Sequence, residues 1–335
     1  MPNLTKKILV IGSNSFSGSN FINYLLNKKL SVIGISRRNQ INHLFLKYYN
    51  NPNKNRFFKF FRCDLNKNKN IFKKIIKKYK PSIIINFSAQ GMVEESWSNP
   101  NDWYKTNILS QVDMVNLILK HNKNIVKFLH FSTPEVYGSI TKPTKENIIF
   151  NPSTPYAISR ATFDSHLINL CKFYKFPSII TRTANVYGEH QPLYRIIPRA
   201  IMSKLLNIKM NLHGGGISKR SFIHIDDVCE ALYLIMMKGE IGKSYHISSN
   251  KFISIDNLVS KIFFNDSEKK KKLIKSSIDR KGKDFEYRLD SSLLRKKFKW
   301  KDKVLLEMGL KRTSEWINNN ISQLSKLSLK YKHFK

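Results

Sequence analysis

The sequence is poor in acidic residues. Its 335 residues include 23 aspartates and glutamates against 59 lysines and arginines, which gives a formal net charge of +36. A strong positive charge is typical of nucleic-acid-binding proteins. Here the excess is mostly lysine and runs along the whole chain, as in the alternating asparagines and lysines of Asn66–Asn70. We interpret it as a compositional bias, expect no nucleic-acid partner, and expect the field to favour an anionic substrate.

Long apolar runs and cysteines are also scarce. No apolar run approaches the ~20 residues that a helix needs to cross a bilayer, so we expect no membrane partner. The first ten residues lead into a strand pattern and lack a signal-peptide layout. Cys63, Cys171 and Cys229 are odd in number and widely spaced. This pattern indicates reduced thiols in a cytoplasmic protein, with neither a disulfide framework nor a metal site.

Short apolar runs alternate with helical patterns from the start of the chain to about residue 183. The predicted strands include Lys7–Ile11, Ser31–Ile35, Ser82–Phe87, Ile125–Phe131 and Ser178–Thr183. This alternation predicts an α/β fold, a Rossmann-type doubly wound parallel sheet. A smaller, mixed α/β C-terminal domain for the substrate is expected beside it, and its last segment, Trp316–Lys335, is predicted as a basic helix that frays. The expected division is 1–184 plus about 221–250 for the dinucleotide, and 185–220 plus about 251–330 for the substrate.

A glycine turn follows the first predicted strand. The turn, G-S-N-S-F-S-G, opens a helical pattern. A strand, a glycine turn and a helix N-terminus together form a cradle for phosphate. Ser15 stands where a middle glycine often occurs, so the prediction depends on the position of the turn at the first strand. The residues assigned to the cofactor here are Gly12, Ser15, Phe16, Ser17 and Gly18.

The second predicted strand ends in Arg37 and Arg38. A carboxylate at this position would bind the ribose 2′-hydroxyl of NAD, whereas two arginines favour a 2′-phosphate. NADP is therefore the favoured cofactor, with NAD as the alternative. Ligands of such sheets lie outside the carboxyl ends of the strands, and the other strand ends assigned to the cofactor are Asp64, Leu65, Ser88 and Ala89.

Two neighbouring motifs carry the candidate catalytic residues. The strand Ile125–Phe131 leads into F-S-T-P-E-V-Y-G, and N-P-S-T-P-Y-A-I-S-R-A follows. Tyr156 and Arg160 are four residues apart and share one helix face. If that face meets the end of the strand, the Thr133 hydroxyl, the Glu135 carboxylate, the phenol and the cation converge. Such a group can move a proton and a hydride at a sugar-like alcohol.

These motifs place the chain in a recognisable group. The sequence resembles the extended short-chain dehydrogenase/reductases that modify nucleotide sugars, most closely those like dTDP-glucose 4,6-dehydratase. The resemblance extends from the first strand to Trp300. The G-I-S-R-R segment is instead similar to GDP-mannose 4,6-dehydratases, which use NADP. The motifs that carry the resemblance are S-T-P-E-V-Y-G, N-P-S-T-P-Y-A-I-S-R, N-V-Y-G, R-S-F-I-H-I-D-D and R-K-G-K-D-F-E-Y-R-L-D.

The resemblance implies a role for each catalytic candidate. Tyr156, as phenolate, would take the proton from the sugar's 4-hydroxyl while hydride passes to the nicotinamide, and Thr133 would hydrogen-bond the same oxygen. Arg160 stands where a lysine usually lowers the tyrosine pKa and binds the nicotinamide ribose. Glu135 would remove the proton on carbon 5 as general base. Water then leaves carbon 6, and the hydride returns there.

The resemblance also implies the partners. A nucleoside diphosphate sugar is the expected substrate, although the sequence does not identify its base or its sugar. A homodimer is expected through the helices Asn101–His121 and Pro155–Tyr174. Asn185 and Arg220 would hold the diphosphate, and Arg195 and Arg280 the nucleotide end. The full set assigned to the substrate is Gln90, Asn185, Arg195, Arg220 and Arg280.

Two departures from the family pattern keep alternatives open. Arg160 replaces the lysine but keeps its charge at every working pH. Pro134 stands where an aspartate in dTDP-glucose dehydratases protonates the leaving hydroxyl, and proline has no proton to give. The acid is then a water, Glu135 after it has gained a proton, or an unidentified residue. A nucleotide-sugar 4-epimerase, which needs no such acid, and a cofactor-bound binding protein without catalysis are the alternative functions.

Overall fold

The computed structural model describes residues 7–279, 281–282 and 284–333. The strands are β1 (Ile8–Ile11), β2 (Val32–Ser36), β3 (Phe58–Arg62), β4 (Ile83–Asn86), β5 (Lys127–Ser132), β6 (Ser178–Thr183), β7 (Asn185–Tyr187), β8 (Met210–His213), β9 (Lys219–Arg220), β10 (Phe222–His224), β11 (Ser244–Ile247), β12 (Ile253–Ser254) and β13 (Ile274–Ser277). The helices are α1 (Phe16–Asn27), α2 (Lys54–Phe57), α3 (Lys69–Tyr79), α4 (Glu95–Ser98), α5 (Pro100–Tyr104), α6 (Ser110–His121), α7 (Pro155–Tyr174), α8 (Ile196–Leu206), α9 (Ile225–Lys238), α10 (Ile255–Ile262), α11 (Ser267–Leu273), α12 (Ser292–Phe298), α13 (Leu306–Asn319) and α14 (Ile321–Leu324). Short 3₁₀ turns occupy His43–Phe45, Pro134–Tyr137 and Gly214–Gly216.

A parallel sheet forms the centre of the molecule. Its strand order across the described residues is β11-β6-β5-β4-β1-β2-β3. Strands β1 and β4 are apolar and buried along their whole length. A continuous apolar strand is stable only when both faces of its sheet are covered, as in doubly wound folds. The predicted Rossmann-type α/β sheet is confirmed.

Helices cover both faces of this sheet and form two apolar cores. On one face α1, α9 and α12 bury residues such as Phe21, Leu232 and Leu294. On the other, α3, α6 and α7 bury residues such as Phe72 and Phe163. The long helix predicted over Asn101–His121 is present, and it contains one π-helical turn at Lys105–Leu109, between α5 and α6.

Smaller elements lie beyond the sheet. The pairs β7–β10, β8–β13 and β9–β12 lie near α8, α10 and α13, whose apolar side chains share a further core around Met202 and Leu258. The helix α12 packs on the large sheet, although it falls in the range expected to belong to the substrate domain. The two-domain division stays a prediction.

The chain beyond α13 differs from the expectation. The predicted helix over Trp316–Lys335 is confirmed only as far as Leu324, with a break at Asn320, and residues 325–333 follow an irregular path. Among the described residues, no helix is long and apolar enough to cross a membrane.

Candidate active site

The carboxyl ends of β1 to β4 line one cleft. Gly12 has a φ of +83°, and a Cβ there would lie 2.9 Å from the backbone nitrogen of Ser88. A Cβ on Gly18 would lie 2.3 Å from the Gly12 carbonyl oxygen. The glycines therefore let the turn pass closely between α1 and β4. The predicted residues that line the cleft are Gly12, Ser15, Arg37, Arg38, Asp64, Leu65, Ser88, Ala89 and Gln90.

The first turn of α1 faces the glycine turn. Ser15 caps this helix, since its Oγ accepts a hydrogen bond of 3.0 Å from the Gly18 N–H. Phe16 and Ser17 are the first two residues of the helix. The N-terminus of a helix carries a partial positive charge and unpaired N–H groups, so this end is suited to bind phosphate.

Two arginines stand together at the end of β2. Arg37 Nη2 donates to Gln90 Oε1 at 3.5 Å. The Gln90 backbone is itself held by the Asn107 side chain through hydrogen bonds of 2.8 and 3.0 Å. Burial, and then the charge of Arg37, lowers the pKa of Arg38. An anion between the two guanidinium groups would relieve this repulsion.

The four predicted catalytic residues meet where β5 ends and α7 begins. Thr154 caps α7 by accepting from the Ala157 N–H at 3.1 Å, which places Tyr156 in the first turn. Thr133 caps the 3₁₀ turn that starts at Pro134, and a proline suits this first position because no N–H is needed there. The Tyr156 phenol lies beside Thr133, with the Glu135 and Arg160 charges close to it.

Opposing influences act on the phenol. Burial, and then the negative charge of Glu135, raises the pKa of Tyr156. The Arg160 charge and the hydrogen bond to Thr133 lower it. Formation of the phenolate therefore depends on these two residues, which stabilise the charged form.

Glu135 has a pKa suited to proton transfer. Burial, and then the charge of Asp284, raises the pKa of this carboxyl to about 7, against the lowering effect of Arg220 and Arg195. The side chain is still partly exposed. A carboxyl with such a pKa can accept and release a proton near neutral pH.

Arg160 is buried, at 2% exposure. Its Nη2 donates to the Phe131 carbonyl oxygen and lies 3.1 Å from His130 Nε2. Its Nε and Nη1 have no hydrogen-bond partner among the residues that the structure describes. The guanidinium is thus held from one side only, and these two buried donors remain for a further ligand.

A buried polar network supports Arg160. Asp164 accepts hydrogen bonds from Ser132 and from the guanidinium of Arg182. His130 lies between Arg160 and Asp164, and burial together with the two arginine charges holds its pKa well below the usual range. Because His130 is neutral, the positive charge of this pair lies on Arg160. The sequence reasoning did not identify this network, because its polar residues occur singly within apolar runs.

The substrate side contains residues that the sequence reasoning missed. Tyr287 donates to Asn185 Oδ1 at 2.5 Å, and the Arg220 guanidinium lies 4.5 Å from the Tyr287 ring centre. Asp284 Oδ1 accepts from the Ser153 hydroxyl at 3.0 Å. Both Asp284 and Tyr287 belong to the motif R-K-G-K-D-F-E-Y-R-L-D. This motif could therefore have identified them from the sequence.

The predicted substrate residues differ in their surroundings. Arg220 is buried and donates to the carbonyl oxygens of Lys219, Asp284 and Phe285, so its guanidinium is fixed in place. Arg195 begins α8, and its Nη2 lies 4.0 Å from the position of a Cβ on Gly91, beside Gln90. Arg280 lies outside the described residues.

Cysteines and metal ligands add nothing to the site. Cys63, Cys171 and Cys229 are free thiols, and burial raises the pKa of Cys63 to about 12. In the ranges described, no group of histidine, cysteine, aspartate and glutamate side chains is arranged to hold a metal ion.

The chain is similar to known proteins along most of its length. The family model described as GDP-mannose 4,6 dehydratase matches residues 9–313. A dTDP-glucose 4,6-dehydratase of Haemophilus influenzae is 30% identical, with 94% of this chain and 98% of that protein covered. The structure of dTDP-glucose 4,6-dehydratase from Bacillus anthracis in complex with NAD has a TM-score of 0.83 and 29% identity, covering 95% of this chain and 98% of that one. A UDP-glucose 4-epimerase of Thermotoga maritima, solved with UDP-glucose, has a TM-score of 0.83 and 26% identity, covering 94% and 99%.

Proposed function

The chain belongs to the GDP-mannose 4,6-dehydratase family, and we propose that it converts a nucleoside diphosphate sugar to the 4-keto-6-deoxy sugar. It is an enzyme of the extended short-chain dehydrogenase/reductase type. The observation that carries the proposal is the meeting of Tyr156, Thr133 and Glu135 at the junction of β5 and α7. This meeting supports a site that combines a proton acceptor for an alcohol with a base for a carbon acid.

The cleft fits a nicotinamide dinucleotide. The glycine turn leaves no room for a Cβ at Gly12 or Gly18, so the turn packs closely on β4 and on the start of α1, as in dinucleotide-binding turns. Such a cofactor, when bound, takes the hydride from carbon 4 and returns it at carbon 6. The glycine turn and the first turn of α1 would hold its diphosphate. Arg37 and Arg38 would hold a 2′-phosphate, which supports NADP over NAD.

Oxidation at carbon 4 begins with a proton transfer to Tyr156. The phenolate takes the proton of the 4-hydroxyl, and Thr133 donates or accepts a hydrogen bond at the same oxygen. Arg160 supplies the fixed positive charge that offsets the effect of burial on the phenol. Its two unpaired nitrogens point to a contact with the cofactor's ribose, as the usual lysine makes in this family.

Elimination requires one base and one acid, and Glu135 supplies both functions in this proposal. The 4-ketone makes the proton on carbon 5 acidic, and ionised Glu135 removes it. Pro134 has no proton to donate, so the protonated Glu135 then gives its proton to the hydroxyl that leaves carbon 6. A pKa of about 7 supports both steps, because neither protonation state is strongly favoured near neutral pH.

The proposal includes a homodimer. Apolar side chains are exposed on the helices expected to pair: Leu109 is 62% exposed, Ile158 40% and Phe173 65%. Exposed apolar surface of this kind supports contact with a second copy. A cytoplasmic location is part of the proposal as well, and the three free thiols support it.

A 4-epimerase is the second candidate. Pro134 favours it, because epimerisation needs oxidation at carbon 4 and return of the hydride to the other face but no acid for a leaving group. The similarity to the Thermotoga maritima epimerase also supports it. Glu135 weighs against it, since a base at carbon 5 has no task in epimerisation.

One incubation separates the two candidates. The purified chain is incubated with dTDP-, GDP-, UDP- and CDP-glucose and with GDP-mannose, and the products are analysed by mass spectrometry and NMR. A product lighter by one water and labile to alkali is expected for one of these sugars. An unchanged mass with inverted configuration at carbon 4 would establish the epimerase instead.

A further inference from the structure

The segment after α14 has no regular secondary structure and lies against the protein. The side chains of residues 327–333 are alternately partly buried and exposed. We call these residues the strap. Its inward, partly buried side chains are Leu327, Leu329, Tyr331 and His333, and its outward, exposed ones are Ser328, Lys330 and Lys332.

The first half of the strap is attached on the substrate side. Leu327 and Leu329 pack on the apolar core that α8 and α13 share. The ring of Tyr331 then lies edge-on to the ring of Tyr194, with 5.3 Å between the centroids. Tyr194 precedes Arg195, which was assigned to the nucleotide end of the substrate. The strap therefore reaches the cleft from this side.

The second half is attached on the cofactor side. The His333 ring stacks on the buried ring of Trp103, with centroids 5.1 Å apart and planes 7° from parallel. Its Nε2 lies 2.7 Å from Asp102 Oδ2, and its Nδ1 lies 2.9 Å from Gln90 Nε2. Gln90 is only 4% exposed and lines the cofactor cleft. His333 thus covers the outer side of a residue of that cleft.

The hydrogen bonds run in one consistent direction. Arg37 donates to Gln90 Oε1, and this contact turns the Gln90 NH₂ group toward His333. His333 Nδ1 then accepts, and its Nε2–H donates to Asp102. The chain Asp102, His333, Gln90, Arg37 links the strap to the guanidinium assigned to the far end of the cofactor.

Tyr331 lies near a charged side chain of the cofactor side and one of the substrate side. Burial raises its pKa to about 12, while Arg37 and Arg195 act in the opposite direction. Its hydroxyl is thus within the field of one arginine assigned to the cofactor and one assigned to the substrate. The strap thus lies between residues assigned to the cofactor and residues assigned to the substrate.

We propose that the strap closes over a bound nicotinamide dinucleotide and retains it between turnovers, with Tyr331 and His333 holding it closed. The nature of the ligand rests on the proposed function. The inference deepens that function, since a reaction that returns its hydride within each turnover requires no exchange of cofactor. Release of the cofactor would require the strap to leave Trp103 and Tyr194.

The test measures the rate of cofactor release, without any sugar. The full chain is loaded with NADPH or NADH, and the loss of nucleotide fluorescence is followed after addition of excess oxidised cofactor. His333→Ala removes a ring stack and two hydrogen bonds and should release the cofactor about tenfold faster. Removal of residues 330–335 should accelerate release further.

Two variants serve as controls. Lys330→Ala changes an outward side chain of the same strap and should leave the release rate within about twofold of the unaltered chain. Tyr331→Phe keeps the ring against Tyr194 and should likewise preserve slow release. Thermal unfolding of each variant shows whether the fold is intact.

Two results would overturn the proposal. One is release at the original rate after residues 330–335 are removed. The other is a truncated chain that binds nucleotide sugar more tightly while cofactor release is unchanged, because the strap would then cover the substrate site alone. A chain that binds the dinucleotide but does not dehydrate sugars overturns only the proposed function. Failure to bind any dinucleotide overturns both.

Discussion

Two sides of the cleft are built in different ways. On the catalytic side, Thr133, Glu135 and Tyr156 occupy the end of one strand and the beginning of one helix, where caps position them through contacts of two or three residues' separation. On the substrate side, Tyr287 reaches Asn185, and Asp284 reaches Ser153, across more than 100 residues of chain. Local structure therefore aligns the groups proposed to react, and long-range packing places the groups assigned to the sugar nucleotide.

This difference predicts different kinetic effects. Changes on the catalytic side should lower kcat, because those groups contact the reacting atoms in the transition state. Changes on the substrate side should act through KM or through the pH dependence. Four substitutions, taken from the largest expected effect to the smallest, test this contrast.

Tyr156→Phe should have the largest effect. The substitution removes the group that takes the proton from the 4-hydroxyl, a role whose loss costs on the order of 10²–10⁴ in rate. The transient reduced nicotinamide, followed by absorbance in a single turnover, should disappear. Tyr174→Phe, at the far end of the same helix, is the matched control and should react normally. Normal turnover by Tyr156→Phe would mean that another residue is the base.

Glu135→Gln should separate the first step from the second. The amide cannot take the proton from carbon 5, so kcat should fall by roughly 10²-fold or more. Oxidation at carbon 4 should survive, and reduced nicotinamide should accumulate. In deuterated water, incorporation at carbon 5 should be lost. Continued exchange at carbon 5 in this variant would exclude Glu135 as the base.

The same contrast explains how much could be predicted from the sequence. The sheet and the cleft residues at its strand ends follow from alternating apolar runs, and the meeting of Thr133 with Tyr156 follows from two adjacent motifs. The buried position of Arg160 depends on His130 and Asp164, which come together only after the strands and helices have packed. A sequence pattern over a few neighbouring residues does not indicate contacts of this kind.

The strap shows a different limit. Its alternation, L-S-L-K-Y-K-H, is visible in the sequence. In a chain with lysines throughout, the same residues also fit a basic helix that frays, which was the prediction. The apolar surfaces that receive Leu327 and Leu329 come from α8 and α13 and are known only from the folded structure. Local propensity was therefore overruled by tertiary packing.

Tyr287→Phe should act on binding. It removes the hydrogen bond to Asn185 and leaves the Asn185 amide without this donor, a loss of about 1 kcal/mol or roughly fivefold in affinity. KM for the nucleotide sugar should rise by this factor while kcat changes little. Tyr233→Phe, on α9 away from the cleft, provides the comparison. A fall in kcat without a change in KM would contradict the division between the two sides.

Asp284→Asn should have the smallest effect on rate and a specific effect on pH dependence. The Asp284 charge helps to raise the pKa of Glu135 to about 7, and asparagine keeps an acceptor for Ser153 without that charge. Glu135 acts in its ionised form, so kcat/KM should increase as pH rises through its pKa. Lowering that pKa should move this acid limb to lower pH.

The expected shift is less than about one pH unit, because burial of Glu135 contributes more to its raised pKa than Asp284 does. Glu268→Gln removes the same charge from an exposed position on α11 and should leave the profile unchanged. A limb that stays in place in Asp284→Asn, or that moves to higher pH, would show that Glu135 is not the group whose ionisation limits the reaction. If the limb moves to lower pH while KM stays nearly constant, Asp284 on the substrate side acts on Glu135 on the catalytic side through its charge alone.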